Sequence, residues 1–292
     1  MAIQYAGAPR VNFTFTDAGT RLDLVNKLNA QLKLSGWTAI SGDGTGDVLM
    51  ETATGPSGQK VRFRLYDPGA GNCAQLTMKN SVGTLTSQIF YLLPGSYEWR
   101  IIANKYQFFM FRTGAANRIA QRAVVMGGTI WIPDYVVATM GSDKECGWVQ
   151  GNGSSDTSGT AYSFRARYGQ VSGTVFSRAS SLWTSFMVNY SNVNQSTVRL
   201  AVSGQCYYDP NFQAFAWQGG SYQQVEAFIC WSPDSTITSR ATWKGQIWDA
   251  MTITGRFDGE STISFAGHTF MAITDQCDQD QEATATLYVA LD

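Results

Sequence analysis

His268 is the only histidine in this 292-residue sequence, and it limits the acid–base chemistry the chain can perform. With Ser264 close upstream it supplies two residue types of a Ser-His-Asp relay, in which imidazole takes the hydroxyl proton. The surrounding Phe265–Met271 (FAGHTFM) alternates like a strand with a glycine turn, and no Gly-x-Ser-x-Gly elbow occurs. A structural or surface histidine explains that pattern better. One imidazole is also too few for a histidine-based metal cage.

Asp275, Asp278, Asp280 and Glu282 crowd into TDQCDQDQE. Carboxylates at alternating positions suit Ca²⁺, but the run lacks the bend-making glycine and distal glutamate of an EF-hand loop. It reads as solvated loop charge. Asp43-Gly-Thr-Gly-Asp47 reads first as a turn, and it lacks the lysine and following helix of a phosphate-binding loop. A glycosidase would need two carboxylates facing each other across a groove, and no spacing singles out a pair among the 22 acids. Cys73, Cys146, Cys206, Cys230 and Cys277 form no C-x-x-C pair, which removes the usual zinc and redox spacings. Reduced thiols in a cytoplasmically folded protein are expected, although Cys206 and Cys230 could meet across a hairpin. The expectation is therefore a non-enzyme with no catalytic, cofactor or metal site.

Composition agrees with a different kind of work. Net charge is -1 with 15% charged residues, so no basic face advertises a nucleic-acid partner. Aromatics at 13% and 29 glycines fit a protein that lives in contact with neighbours. An ordinary β-sandwich with many turns explains the glycines equally well. The start MAIQYAGAPRVNF lacks the basic end and apolar core of a signal peptide, and no apolar run approaches a membrane span. A soluble protein made in the cytosol, with no membrane partner, is expected.

The elements that would position these residues are mostly strands. Val11–Thr16 alternates, then Asp17 or Thr20 can cap a helix with the stripe Leu24, Val25, Leu28 and Leu32, ended by Gly36. Trp37–Ile40, Val48–Thr54, Val61–Tyr66 and Ala74–Met78 follow as strands joined by turn residues. Trp99–Ala103 and Tyr106–Phe111 read as a β-hairpin with Asn104-Lys105 as its two-residue turn. Another apolar run passes through Val124–Met126. Beyond it, Ser181–Val188, Thr197–Val202, Val225–Trp231, Ile247–Ile253 and Ala285–Leu291 alternate with period two. The expected fold is mainly β: an α+β domain over 1–138 with one amphipathic helix on a β-meander, a Gly/Ser-rich linker or surface loop over 139–159, and a β-sandwich or barrel-like domain over 160–292.

Three stretches carry a resemblance. Gly36-Trp37-Thr38 follows the helix. The hairpin runs Trp99-Arg-Ile-Ile-Ala-Asn104 into Lys-Tyr-Gln-Phe-Phe. A late run leads from Gly245-Gln-Ile-Trp248-Asp249-Ala250 to Phe265-Ala-Gly-His268-Thr-Phe-Met-Ala-Ile-Thr274. Together they resemble a loose family of tailed-bacteriophage virion proteins. Its members share a "GW" after the first helix, a "strand, Ala-Asn, strand" hairpin and a "WDA…GHTF-x-AIT"-like pair of strands. Where many relatives have basic residues after Ala-Asn, this chain has Lys105-Tyr106-Gln107, so a role for that basic pair does not transfer.

The resemblance implies a non-enzymatic component of the particle, in the tail, baseplate or neck, located in the virion after folding in the host cytoplasm. Its partners would be other virion proteins and copies of itself in a ring. Trp99, Tyr106, Phe109 and Trp131 are the interface candidates, with the core as the alternative place for each. Two other functions stay open: a capsid decoration protein, and a receptor module holding a host-surface glycan. The glycan module would use Tyr190–Gln195 and Cys206–Asn211, with Trp148, Tyr207, Tyr208 and Trp217 as stacking rings.

Overall fold

The computed structural model describes residues 3–56, 58, 60–79, 89–113, 124–129, 131, 147–152, 171–177, 184–188, 199–202, 224–232, 242–254, 260–273 and 285–292. Within them the chain is mainly β, as the alternating runs imply. Among the described residues there are one helix and three antiparallel sheets, all open, with no closed barrel.

The helix α1 spans Arg21–Leu34 and buries Leu24, Val25, Leu28 and Leu32, the stripe expected from their spacing. Thr20 caps it by accepting from the Asp23 amide at 3.2 Å, while the Asp23 carboxylate accepts from the Ala18 amide at 2.7 Å. Asp17, the other cap candidate, is occupied elsewhere. At the far end the Trp37 amide reaches Leu32 O and the Gly36 amide reaches Lys33 O, both at 3.0 Å, which is a Schellman closure. Gly36 adopts φ +98°, a conformation that favours glycine.

After the helix come β2 (Thr38–Ser41), β3 (Asp47–Glu51), β4 (Arg62–Tyr66), β5 (Ala74–Lys79) and β6 (Phe90–Leu92), a five-stranded meander in sequence order. Alternation assigns the faces. Val48, Met50, Phe63, Leu65, Leu76 and Met78 point into the core, and the residues between them point out.

A seven-stranded sheet takes its strands from much of the chain. Its order is β1 (Arg10–Thr16), β7 (Glu98–Asn104), β8 (Gln107–Arg112), β9 (Val124–Thr129), β10 (Gly147–Asn152), β11 (Val171–Ser177) and β12 (Thr184–Val188). The helix and the five-stranded sheet share one apolar core with this sheet. The contact is fastened by Trp37, Phe63 and Phe108, whose ring centroids lie 5.4–5.9 Å apart. β8 is buried on both faces, which is why it reads as an unbroken apolar run.

The segment 139–159, expected as a linker or surface loop, contains β10, and the sheet continues through it into β11 and β12. One of its glycines, Gly147, has a packing cause. A Cβ on Gly147 would stand 2.7 Å from Val61 Cγ2. On the neighbouring β9, a Cβ on Gly127 would stand 2.7 Å from Trp148 O. Strands with glycines forced by close approach resemble linkers in composition.

The third sheet has the order β13 (Arg199–Val202), β14 (Gln224–Ser232), β15 (Thr242–Thr254), β18 (Ala285–Ala290), β17 (His268–Ala272) and β16 (Thr262–Phe265). β16 and β17 form a hairpin whose two turn residues, Ala266 and Gly267, both have positive φ, as a type I′ turn requires. Met251, Phe270, Ala272, Tyr288 and Ala290 form a core on this sheet, against which Ile3 and Tyr5 of the N-terminal arm pack.

Candidate functional site

The tip of the β7–β8 hairpin lies one residue later than the sequence reading placed it. β7 ends at Asn104 and β8 begins at Gln107, so Lys105 and Tyr106 make the turn. The reason is local. Asn104 Oδ1 accepts from the amides of Tyr106 at 2.8 Å and Gln107 at 2.9 Å. The turn is therefore closed by the Asn104 side chain, and its backbone stays in the strand.

With Oδ1 so engaged, Asn104 Nδ2 must point away from the hairpin, and it donates to Asp249 Oδ2 at 2.6 Å. Asp249 Oδ1 accepts from the Ala6 amide at 2.8 Å and from Arg10 Nη2 at 2.9 Å. The Asp249 amide donates to Gln4 O at 2.8 Å. Next to it, Gln107 Oε1 accepts from the Trp248 amide at 3.1 Å, and Gln107 Nε2 donates to Trp248 O. Trp37 Nε1 donates to Asn104 O at 2.8 Å, and the Tyr106 ring lies 4.7 Å from that of Trp248.

This junction joins the N-terminal arm, the central hairpin and β15 of the third sheet. It is buried: Asn104, Gln107 and Asp249 are all at most 4% exposed. Asp249 sits at φ 52°, which turns its carboxylate into the junction. Burial pushes its carboxyl above the ordinary range, while Arg10, the Ala6 amide and Asn104 act in the opposite direction. An enclosed carboxylate held by three donors fastens these parts together. His268 lies at its margin, stacked on Tyr5 at 4.5 Å and 3.5 Å from the Asp292 carboxylate.

A second buried carboxylate organises a loop. Asp17 accepts from the amides of Gly19, Gly95, Ser96 and Tyr97 and from Trp99 Nε1, all at 2.7–3.0 Å. Burial alone would raise this carboxyl. The donations from Trp99, Gly95, Gly19 and Ser96 outweigh it and hold the group below its ordinary value. Asp17 is thus the anchor of the 95–97 turn.

The four interface candidates divide. Trp99 and Phe109 are fully buried, Trp99 against Asp17 and Phe109 beside Trp148. Tyr106 and Trp131 lie with Trp248 and Ala6 in a small cluster of the junction, and Trp131 exchanges backbone hydrogen bonds of 2.9 Å with Gln246. In the single chain all four hold its own parts together. Trp148 is fully buried, so it is no platform for a sugar ring. Tyr190–Gln195, Cys206–Asn211, Trp217 and the acidic run Asp275–Glu282 lie outside the described residues, as does Cys206 of the suggested cysteine pair. Asp43 and Asp47 flank a turn. Asp43 is held by Lys33 at 2.6 Å and Asn29 at 3.0 Å, and Asp47 by Arg64. Among the described residues no group of three or more His, Cys, Asp or Glu side chains is placed to hold a metal. Nor is any helix among them long and apolar enough to cross a membrane.

Compared with known proteins, the chain matches no family model and no curated protein. The sequence reading missed Arg10, the arm Gln4–Ala6 and Gln107 as members of the junction. The one signal available was Arg10 itself, a lone cation opening an otherwise uncharged strand.

Proposed function

We propose that this protein is a non-enzymatic structural component of a tailed-bacteriophage particle, in the tail, baseplate or neck, and that it works through subunit interfaces. One observation carries the reading. Three of the stretches that resemble the virion family, around Gly36-Trp37, Asn104 and Trp248-Asp249, come together at one buried junction, and His268 of the fourth stacks on Tyr5 at its margin. Each contributes a group that fastens sheet to sheet or arm to sheet. Motifs devoted to a reaction would converge on an open cleft with ionisable groups left free for a substrate. These motifs are spent on rigidity, which a subunit under load in an assembly needs. The low charge and high aromatic content of the chain fit the same role.

Mass spectrometry of purified particles, combined with electron microscopy of the isolated protein, tests the proposal. Presence in particles at a fixed stoichiometry, or ring-shaped oligomers of the pure protein, is the expected result. A strictly monomeric protein absent from particles would defeat it.

A further inference from the structure

The outer face of the five-stranded sheet carries a fixed array of charge and aromatic rings. Strand register sets it in rows: Glu51, Arg62 and Lys79 lie side by side, then Leu49, Arg64 and Thr77, then Asp47, Tyr66, Gln75 and Tyr91. The Arg64 guanidinium grips Asp47 with two bonds of 2.8 and 2.7 Å and lies over the Tyr66 ring at 4.2 Å. The Tyr66 hydroxyl bonds Gln75. Arg62 and Lys60 both bind Glu51, at 2.7 and 3.0 Å. Lys60, Arg62, Arg64 and Lys79 against Asp47 and Glu51 leave this face with a net charge of +2. The whole chain carries -1.

Two properties make the face a docking surface. Arg and Tyr are the residue types on which binding energy concentrates, because they combine large area with directed polar contacts. Their side chains are also already held in place, so a partner need not order them. The complement is in the same sequence: Asp275, Asp278, Asp280 and Glu282 place four carboxylates in eight residues with no Lys or Arg among them.

We propose that this sheet face receives the acidic run 275–282 of a second copy of the chain, so that copies join head to tail. The contact uses a different surface on each partner, and such a contact closes into a ring when its rotation permits. The proposal rests on the interface reading above for its biological purpose, while the contact itself is argued from charge. Because the face is partly solvent-exposed, the attraction should fade as the screening length falls from about 10 Å at 0.1 M salt to about 3 Å at 1 M.

Two variants of the full chain separate the halves of the contact. Lys60→Glu with Lys79→Glu reverses the sign of the face; it alters no residue of the Arg64–Asp47 and Arg62–Glu51 pairs but removes the Lys60 bond to Glu51. Asp275→Asn, Asp278→Asn, Asp280→Asn and Glu282→Gln together neutralise the run. Sedimentation velocity, with circular dichroism as the check on folding, reads the result. The unaltered chain should self-associate at low salt and dissociate at high salt, and each variant alone should associate at least about tenfold more weakly. Mixing the two variants should restore a 1:1 dimer and nothing larger, because each retains the half the other lacks.

Three outcomes overturn the proposal: an unaltered chain that stays monomeric at low salt, variants that associate as strongly as it does, or a mixture that remains monomeric while each variant loses thermal stability. The last would place the acidic run against its own chain. Whether the protein occurs in particles is a separate measurement. A restored dimer from a protein absent from virions would retain the contact and remove the phage role.

Discussion

Asn104 Nδ2 stands 2.6 Å from Asp249 Oδ2, two side chains that meet across 145 residues of sequence. The orientation of each fixes the other. Asn104 cannot flip without losing the amides of Tyr106 and Gln107, so position 249 has to supply an acceptor.

Asp249→Ala should therefore be among the most damaging single substitutions. It leaves the mostly buried Arg10 without its counter-charge, a loss on the order of 3–5 kcal/mol for a buried pair. Urea unfolding should show a large fall in midpoint. A double-mutant cycle with Arg10→Met should show coupling, the pair together costing less than the sum of the two.

Asp17 gives a pH dependence with a definite sign. Its folded carboxyl titrates below the ordinary value of 3.8, so ionised Asp17 favours the folded state. That contribution is complete above the unfolded value, about 3.9, and is lost as pH falls through the lower folded value. Asp43, Asp47, Asp67 and Asp292 are also lowered and contribute their own acid dependence. Asp17→Asn should make the acid limb of stability shallower without abolishing it, as measured by urea midpoints between about pH 2 and 5.

Gly36→Ala tests the close of the helix. The new Cβ would meet a left-handed backbone and stand 3.1 Å from Lys105 Cβ at the hairpin tip. A loss of at least about 1 kcal/mol is expected in chemical denaturation. A neutral result would show that the hairpin tip can yield.

Phe108→Ala removes the ring that packs against both Trp37 and Phe63 between the two sheets. A destabilisation of roughly 3–5 kcal/mol is expected, since the cavity is lined from two sides and cannot easily collapse.

Elements built from local spacing were readable in the sequence. The stripe Leu24, Leu28 and Leu32 has helical period, and Val48–Met50 alternates, so the helix and the meander followed. β6 covers only Phe90–Leu92, too short for a period to register. β10 was hidden because its Gly147 answers to Val61, a neighbour that sequence does not display. Asp17 resembled a helix cap because it stands just before one. Its actual donors at Gly95, Ser96, Tyr97 and Trp99 are long-range. The members of the junction could be noticed one by one as motifs. That Asn104, Asp249 and Arg10 share a single enclosure depends on tertiary packing, which no spacing rule encodes.

The arm's attachment has a consequence for how the chain is made. The Ala6 amide finds its acceptor 243 residues later, at Asp249. At about 5–20 residues per second, the ribosome delivers that carboxylate roughly 10 to 50 seconds after the arm has emerged. The arm must therefore wait for Asp249 before this contact can close, so the junction seals later than the local hairpins of the same chain.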